Sequence, residues 1–184
     1  MNDIADPASF SRVCHLRDGS EVLMRAARPD DLDRIVDAFH ALEPESVYTR
    51  FHGPKRELSA GDIGRFRSID FVHSMMLVLT RQVDGHELII GGVSCFFGPT
   101  PEGAEMAEIS FTIEEDYQGQ GLAGQLLQVA VEMARQRGTV RLEAEVLGEN
   151  TAMLKVFERS RLPLRKTREG GVVHVEMALQ PAPA

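Results

Sequence analysis

Gln118-Gly119-Gln120-Gly121-Leu122-Ala123-Gly124 stands between a strand-like run, 105–114, and a helical run that begins near Leu122. Three glycines in seven residues leave the backbone unobstructed, so successive N–H groups can turn toward one point. The helix that follows directs its positive dipole end to the same place. A strand, a bare glycine loop and a helix N-terminus together form a diphosphate site. The spacing is not that of a Walker loop, because no Gly-Lys-Ser/Thr closes it. Nor is it the dinucleotide fingerprint, which needs Gly-x-Gly-x-x-Gly after the strand that starts a parallel βαβ unit. Taken alone, the loop also reads as a Gly-rich strand-to-helix turn with no ligand.

Working outward, 122–137 is a long helix with Leu126, Leu127, Ala130, Met133 and Ala134 on its inner side, and Gly138 stops it. A strand over 140–147, a helix over 150–159 and a closing hairpin, 162–167 with 172–179 through Gly170-Gly171, complete the C-terminal half. Upstream, 71–81 and 87–97 are apolar strand runs joined through Asp84-Gly85, a strong hairpin signal. A first strand over 21–27 precedes a helix opened by Arg28-Pro29-Asp30-Asp31, with proline and carboxylates in its first turn. Pro44 to Phe51 reads as a second helix, and Ser59 as the N-cap of a third. Residues 1–20 read as an arm or as a strand with an Asp18-Gly19 turn, 21–179 as one domain, and 180–184 as a tail. This order implies an α/β (α+β) fold, a mixed, mostly antiparallel central sheet flanked by helices.

A chain of 184 residues is long enough for one substantial core and short for two. With 43% hydrophobic and 26% charged residues it reads as globular rather than disordered. The net charge of −8 repels nucleic acid and anionic membrane and mildly favours cationic partners such as lysine side chains. Two cysteines, Cys14 and Cys95, make neither a disulfide framework nor a zinc site, so a reduced, cytoplasmic protein is expected. The six histidines lack ligand spacing and no metal is read from them. No apolar run approaches a membrane span, and the acidic N-terminus lacks a signal-peptide core.

Gln118-x-x-Gly121-x-Ala123 fits the Gln/Arg-x-x-Gly-x-Gly/Ala signature of the GNAT superfamily of N-acyltransferases, which use acyl-coenzyme A. Asn150-Thr151-Ala152-Met153 resembles that superfamily's second signature. The run from Ala107-Glu108-Ile109-Ser110-Phe111 through the glycine loop is similar to the acetyltransferase domain of bacterial Pat-type protein lysine acetyltransferases. So is Pro44-Glu45-Ser46-Val47-Tyr48-Thr49-Arg50-Phe51. The likeness runs from Val22 to Leu179. It implies the GNAT fold and acetyl-CoA as donor. Gln118, Gly119, Gln120, Gly121, Leu122, Ala123 and Gly124 would hold the pyrophosphate, with Asn150 also at the coenzyme. The pantetheine arm would lie along Phe111, Thr112 and Ile113, whose edge N–H and C=O groups also serve the oxyanion. Tyr48 and Arg50 fall in the helical region that lines the acceptor cleft. The implied acceptor is a protein lysine, with a small amine next, and a homodimer is left open. Two departures stand out: Phe157 occupies the position of the usual tyrosine acid, and Ser160-Arg161-Leu162-Pro163 replaces the usual Gly-Phe.

Acyl transfer to an amine must first deprotonate it. A lysine ammonium of pKa about 10.4 lies roughly 3.4 units above pH 7, a cost of about 4.6 kcal/mol, and a general base is the remedy. Glu108 is the candidate, at the place where the Pat-type domains carry theirs. Strand alternation puts Glu108, Ser110 and Thr112 on one face and Ile109, Phe111 and Ile113 on the other. A solvated or arginine-paired glutamate is the plainer alternative, and Glu105 and Glu114 are weaker candidates nearer the strand ends. Lys155 and Arg161 could approach the coenzyme phosphates or be solvated helix charges. A competing function is a non-catalytic acyl-CoA-binding sensor on the same fold.

Overall fold

The backbone turns back on itself at Asp18-Gly19, where Gly19 takes φ 84° and the Leu16 N–H donates to the Ser20 carbonyl at 2.9 Å. That turn makes the N-terminal segment a strand: β1 (Ser11–His15) pairs antiparallel with β2 (Glu21–Ala26). In this computed structural model residues 4–179 are described, so the 180–184 tail lies outside the described residues.

After β2 a 3-10 turn, Pro29–Asp31, feeds α1 (Leu32–Ala41); α2 (Pro44–Phe51) follows, then α3 (Ala60–Arg67). Ser59 and Asp62 form a capping box at the start of α3, as the N-cap reading anticipates. β3 (Ser74–Val83) and β4 (His86–Pro99) form a hairpin whose Asp84 and Gly85 both have positive φ, 50° and 81°. Then come β5 (Glu105–Ile113), α4 (Leu122–Gln136), β6 (Arg141–Leu147), α5 (Thr151–Arg159), β7 (Leu164–Glu169) and β8 (Val172–Ala178). The sheet runs β1-β2-β3-β4-β5-β6-β8-β7, and every neighbouring pair is antiparallel except β5 with β6.

Several expected boundaries move: the strand read over 162–167 is Leu164–Glu169, the one read over 87–97 is His86–Pro99, and the third strand starts late. The sequence places the third strand from Phe71, but it begins at Ser74. Asp70 Oδ1 accepts the backbone N–H groups of Val72, His73 and Ser74 at 2.9, 2.7 and 3.2 Å, and Phe71 sits at φ 57°. Local side-chain bonds outcompete the ladder there.

The core gathers under α4. Leu122, Leu126, Leu127, Ala130, Met133 and Ala134 are buried in one cluster with Ile109 of β5, Leu142 of β6 and Phe157 of α5. Helices α1, α2 and α3 cover the opposite face, because they and the other side chains of β5 enclose one cavity.

A buried ion cluster joins the N-terminal elements. Arg25 of β2 donates to Asp31 at 2.7 and 2.8 Å and to Glu87 of β4 at 3.2 and 3.0 Å, and Arg34 of α1 donates to Asp31 at 2.6 Å. Burial pushes the Asp31 carboxyl up, but Arg25, the Arg28 N–H and Arg34 outweigh it and hold it below the ordinary aspartate value. Arg25 likewise holds Glu87 below the ordinary glutamate value against burial. Both carboxylates therefore stabilise the fold fully above their unfolded values of about 3.9 and 4.3, and this is lost as pH falls through the lower folded values. Asp31→Asn should cost about 3–5 kcal/mol, since it removes one of the two carboxylates that neutralise the buried Arg25 guanidinium and breaks the pair with Arg34. Urea unfolding at neutral pH measures it, and a loss under about 1 kcal/mol would contradict the role given to this cluster.

Candidate active site

β5 and β6 begin side by side and then part. They pair at Met106↔Arg141, Ala107↔Leu142 and Glu108↔Glu143, beyond which β5 stays with β4 and β6 with β8. The Val140 N–H donates to the Glu105 carbonyl at 2.8 Å, and the Glu114 N–H donates to the Ile90 carbonyl of β4 at 3.0 Å. Since the two edges of a strand alternate, Glu108, Ser110 and Thr112 spend their backbone groups on β4. Ile109, Phe111 and Ile113 turn theirs toward the side that β6 has left. The Ile113 carbonyl accepts from Gln118 Nε2 at 2.9 Å. The Phe111 N–H and C=O and the Ile113 N–H remain to pair with an extended chain laid in the gap. Thr112 differs from its neighbours: its backbone serves β4, and its side chain lines the cavity on the other face.

The glycine loop closes the far end of this gap. Gly119 and Gly121 take φ 70° and 88°, and Gly121 is the N-cap of α4. No side chain caps this helix and no acidic residue sits in its first turn, so its leading amides, on Leu122, Ala123 and Gly124, are left for an outside acceptor. That arrangement fits a diphosphate. The Gln118 and Gln120 side chains hold the loop instead of pointing at a ligand. Gln118 Nε2 also donates to Ser46 Oγ of α2 at 3.1 Å, and Gln120 Oε1 accepts the Arg17 N–H at 3.3 Å. Asn150 is likewise engaged, capping α5 by accepting the Met153 N–H at 3.0 Å.

On the other face, α1, α2, α3 and strands β3 to β5 enclose a cavity of about 410 Å³. Glu108, Ser110, Thr112 and Glu114 line it together, as alternation along β5 requires. Gly91 and Gly92 also line it, and a Cβ there would meet the Thr112 carbonyl at 2.7 Å and the Leu77 carbonyl at 2.5 Å respectively, so neither position takes a side chain without a shift of the sheet. Ser94 and Ser110 share a hydroxyl hydrogen bond of 2.8 Å. The Glu108 carboxylate is exposed to this space and makes no hydrogen bond or ion pair among the described residues. Glu105 is committed elsewhere, to Arg137 and Thr139, both at 3.1 Å. Glu114 joins the cavity, where burial, then Asp116 and Glu115, push its carboxyl above the ordinary value.

Arg50 also lines the cavity, whereas Tyr48 is not among the lining residues and is 46% exposed. Phe157 is buried, its ring against Phe111 at 5.9 Å and 68°. Lys155 and Arg161 are exposed, and Arg161 holds φ 61°, a left-handed geometry that glycine adopts more easily, in the segment where the resemblance expects Gly-Phe. Away from the cavity, register brings Glu143, His174 and Glu176 of β6 and β8 together, their ligand atoms within 4.8 Å. This grouping was invisible in sequence spacing because it forms across strands. Arg141 Nε lies 2.7 Å from Glu143 there, a cation already at the carboxylate.

The acetyltransferase (GNAT) family model matches residues 36–161. The chain belongs to the GNAT family. This GNAT chain is 33% identical over 138 residues to acetyltransferase PA5475 of Pseudomonas aeruginosa, over 75% of this chain and 73% of that one. It is 28% identical over 167 residues to acetyltransferase Pat of Mycolicibacterium smegmatis, covering 90% of this chain but 48% of that protein, so it spans about half of that relative. The GNAT domain of S. lividans PAT superposes with a TM-score of 0.79 at 33% identity, covering 91% and 96% of the two chains. Salmonella typhimurium yncA, whose structure contains its cofactor acetyl-CoA, shares the fold at TM-score 0.68 and 17% identity, over 89% and 96%. The mixed, mostly antiparallel GNAT fold and an N-acetyltransferase enzyme are thereby assigned to this chain.

Gly121 tests the loop. A Cβ there would meet nothing within 4 Å, but φ 88° is strained for a branched residue. Gly121→Val should therefore reorient the amides and weaken acetyl-CoA binding by at least ~10-fold. Calorimetric titration on folded variant measures it, and unchanged affinity would contradict the phosphate role.

Proposed function

We propose that this GNAT enzyme moves the acetyl group of acetyl-CoA to a primary amine, with Glu108 as general base. The observation that carries the proposal is the unpaired Glu108 carboxylate, which faces the cavity at the last residue where β5 and β6 still pair. The amine would approach from the cavity and the thioester along the opened edge just beyond, so the two reactants meet across one strand.

In this reading the pyrophosphate rests on the amides of Gly119, Gly121, Leu122, Ala123 and Gly124. The pantetheine arm pairs with Phe111 and Ile113. Glu108 accepts a proton from the acceptor's ammonium, directly or through one water. The neutral nitrogen attacks the thioester carbon, backbone N–H groups of the opened edge stabilise the oxyanion, and the C–S bond breaks. The departing thiolate takes its proton from water. Phe157 has no proton to give, and a thiol of pKa near 8.5 is a tolerable leaving group.

A protein lysine is the first acceptor proposed, supported by the Pat-like stretches and by the net charge of −8, which favours cationic partners. The enclosure of about 410 Å³ favours a small amine as the second reading. A non-catalytic acyl-CoA sensor gives no use to an unpaired carboxylate facing the cavity. Among the described residues no helix is long and apolar enough to cross a membrane, and two free cysteines suit the cytoplasm.

Glu108→Gln keeps the shape but cannot accept the proton. Turnover at neutral pH should fall by roughly 10²–10⁴-fold with acetyl-CoA affinity retained, and part of the loss should return at high pH, where the amine is already neutral. Wild-type turnover by the variant on a genuine acceptor would rule the base out. Phe157→Tyr should leave coenzyme affinity within a few-fold and raise turnover only modestly. A gain of ~10²-fold would show instead that thiolate protonation limits the rate.

A further inference from the structure

We propose that the acceptor carries a carboxylate near the amine it presents, and that Arg50, with Arg65 behind it, receives that carboxylate. This rests on the transferase reading of the same cavity and names the chemistry of what enters it.

The state of Arg50 carries the inference. Its guanidinium faces the cavity and lies 5.0 Å from the Phe51 ring centroid, and it makes no hydrogen bond or ion pair among the described residues. The other inward-turned arginines are engaged: Arg25 with Asp31 and Glu87, Arg137 with Glu105 and the Phe71 carbonyl. Asp62 is the nearest carboxylate on α3, but it is already occupied. It takes Lys55, the Ser59 N–H and hydroxyl, and Arg65 at 3.0 Å. Burial pushes the Asp62 carboxyl up, and those four donors outweigh it and hold it well below the usual range. Burial, then the neighbouring Arg65, pull Arg50 below the ordinary arginine value, while Asp62 and Glu108 act the other way. A partly desolvated guanidinium beside a second guanidinium, with its potential donors unspent, gains from an incoming anion.

Glu108 completes the pattern. Its charge acts on Arg50, yet the two form no ion pair across the cavity they share. Opposite charges that face one enclosure without touching are complementary to a zwitterion, with ammonium toward Glu108 and carboxylate toward Arg50. The rest of the lining is largely apolar, with Ile35, Phe39, Ile63, Phe66, Met76 and Phe96, and suits an aliphatic body. A free amino acid with an apolar side chain meets all three requirements. A lysine beside an acidic residue in a peptide offers the same amine and carboxylate from another source.

The test measures thiol release from acetyl-CoA by the full chain with matched acceptors. Leucine is compared with 3-methylbutylamine, which lacks the carboxylate, and with leucine amide, whose α-amine deprotonates more readily than that of leucine. The expected result is a preference for leucine of roughly 10–100-fold in kcat/KM, chiefly through KM, the range of a charge-assisted pair. In Arg50→Met that ratio should fall to about one, and in Arg50→Lys it should be intermediate. The wild-type comparison needs no variant, so a misfolded substitution leaves the test intact. Two blocked peptides, one with Asp-Lys and one with Asn-Lys, distinguish the sources: preference for Asp-Lys without preference for leucine places the carboxylate on a polypeptide. Equal kcat/KM for charged and uncharged members of both sets overturns the proposal and leaves the transferase reading standing. If no amine is acetylated, titration with 4-methylpentanoate decides. Binding that Arg50→Met abolishes supports the anion site while the transferase reading fails, and no binding overturns the proposal as well.

Discussion

Everything at this site depends on the separation of β5 from β6 after Glu108. A strand inside a sheet has both backbone edges spent, and one at a sheet rim offers its edge to any passing chain. β5 is neither. Its first residues are paired on both sides, while its last keep β4 and lose β6, so the opened edge is short and lies inside the protein. The ring of partly buried Phe111 packs against buried Phe157 beside that opening, where α5 approaches β5. The same strand therefore presents backbone groups along its opened edge and, on its other face, a row of side chains to the cavity, and the proposed mechanism gives one reactant to each.

Holding that geometry takes several contacts of ordinary kind. Gln118 ties the glycine loop both to the end of β5 and to α2, the helix that carries Arg50. The Arg25–Asp31–Glu87 cluster, joined by Arg34, pins the start of α1 to the sheet. Ile90 is the extra residue in β4 opposite Leu79 and Thr80, a bulge whose carbonyl receives the Glu114 N–H. The net charge of −8 says little about any of this. What matters locally is that Lys55 and Arg65 share the Asp62 carboxylate while Arg50, which lines the same cavity, is left unpaired.

Much of this was legible in the chain because it is local. Pro44 to Phe51 is a helix with the bounds its residues suggest, Ser59 caps α3, and Asp84-Gly85 makes the hairpin, since proline, capping and turn preferences act over a few residues. Alternation put Glu108, Ser110 and Thr112 on one face, and it also implies Glu114. What could not be read came from pairing. The parting of β5 and β6 is a fact about two strands whose paired residues, such as Met106 and Arg141, are 35 apart in the chain. From it follows that Phe111 and Ile113 face the gap while Thr112, in the same stretch, does not. The isolation of Arg50 depends on Asp62 being claimed by Lys55, Ser59 and Arg65. Phe71 failed as a strand start because Asp70 collects three N–H groups that sequence pattern assigns to the ladder.

The most direct measurement is backbone amide hydrogen exchange, residue by residue, with and without acetyl-CoA. If the opened edge receives the pantetheine arm, the Phe111 and Ile113 amides should slow by ~10-fold or more on saturation, together with those of Leu122, Ala123 and Gly124. The Thr112 amide, already bonded to β4, should barely change. Saturating acetyl-CoA that leaves Phe111 and Ile113 exchanging as before, or protects Thr112 in their place, would contradict the assignment of this edge to the thioester.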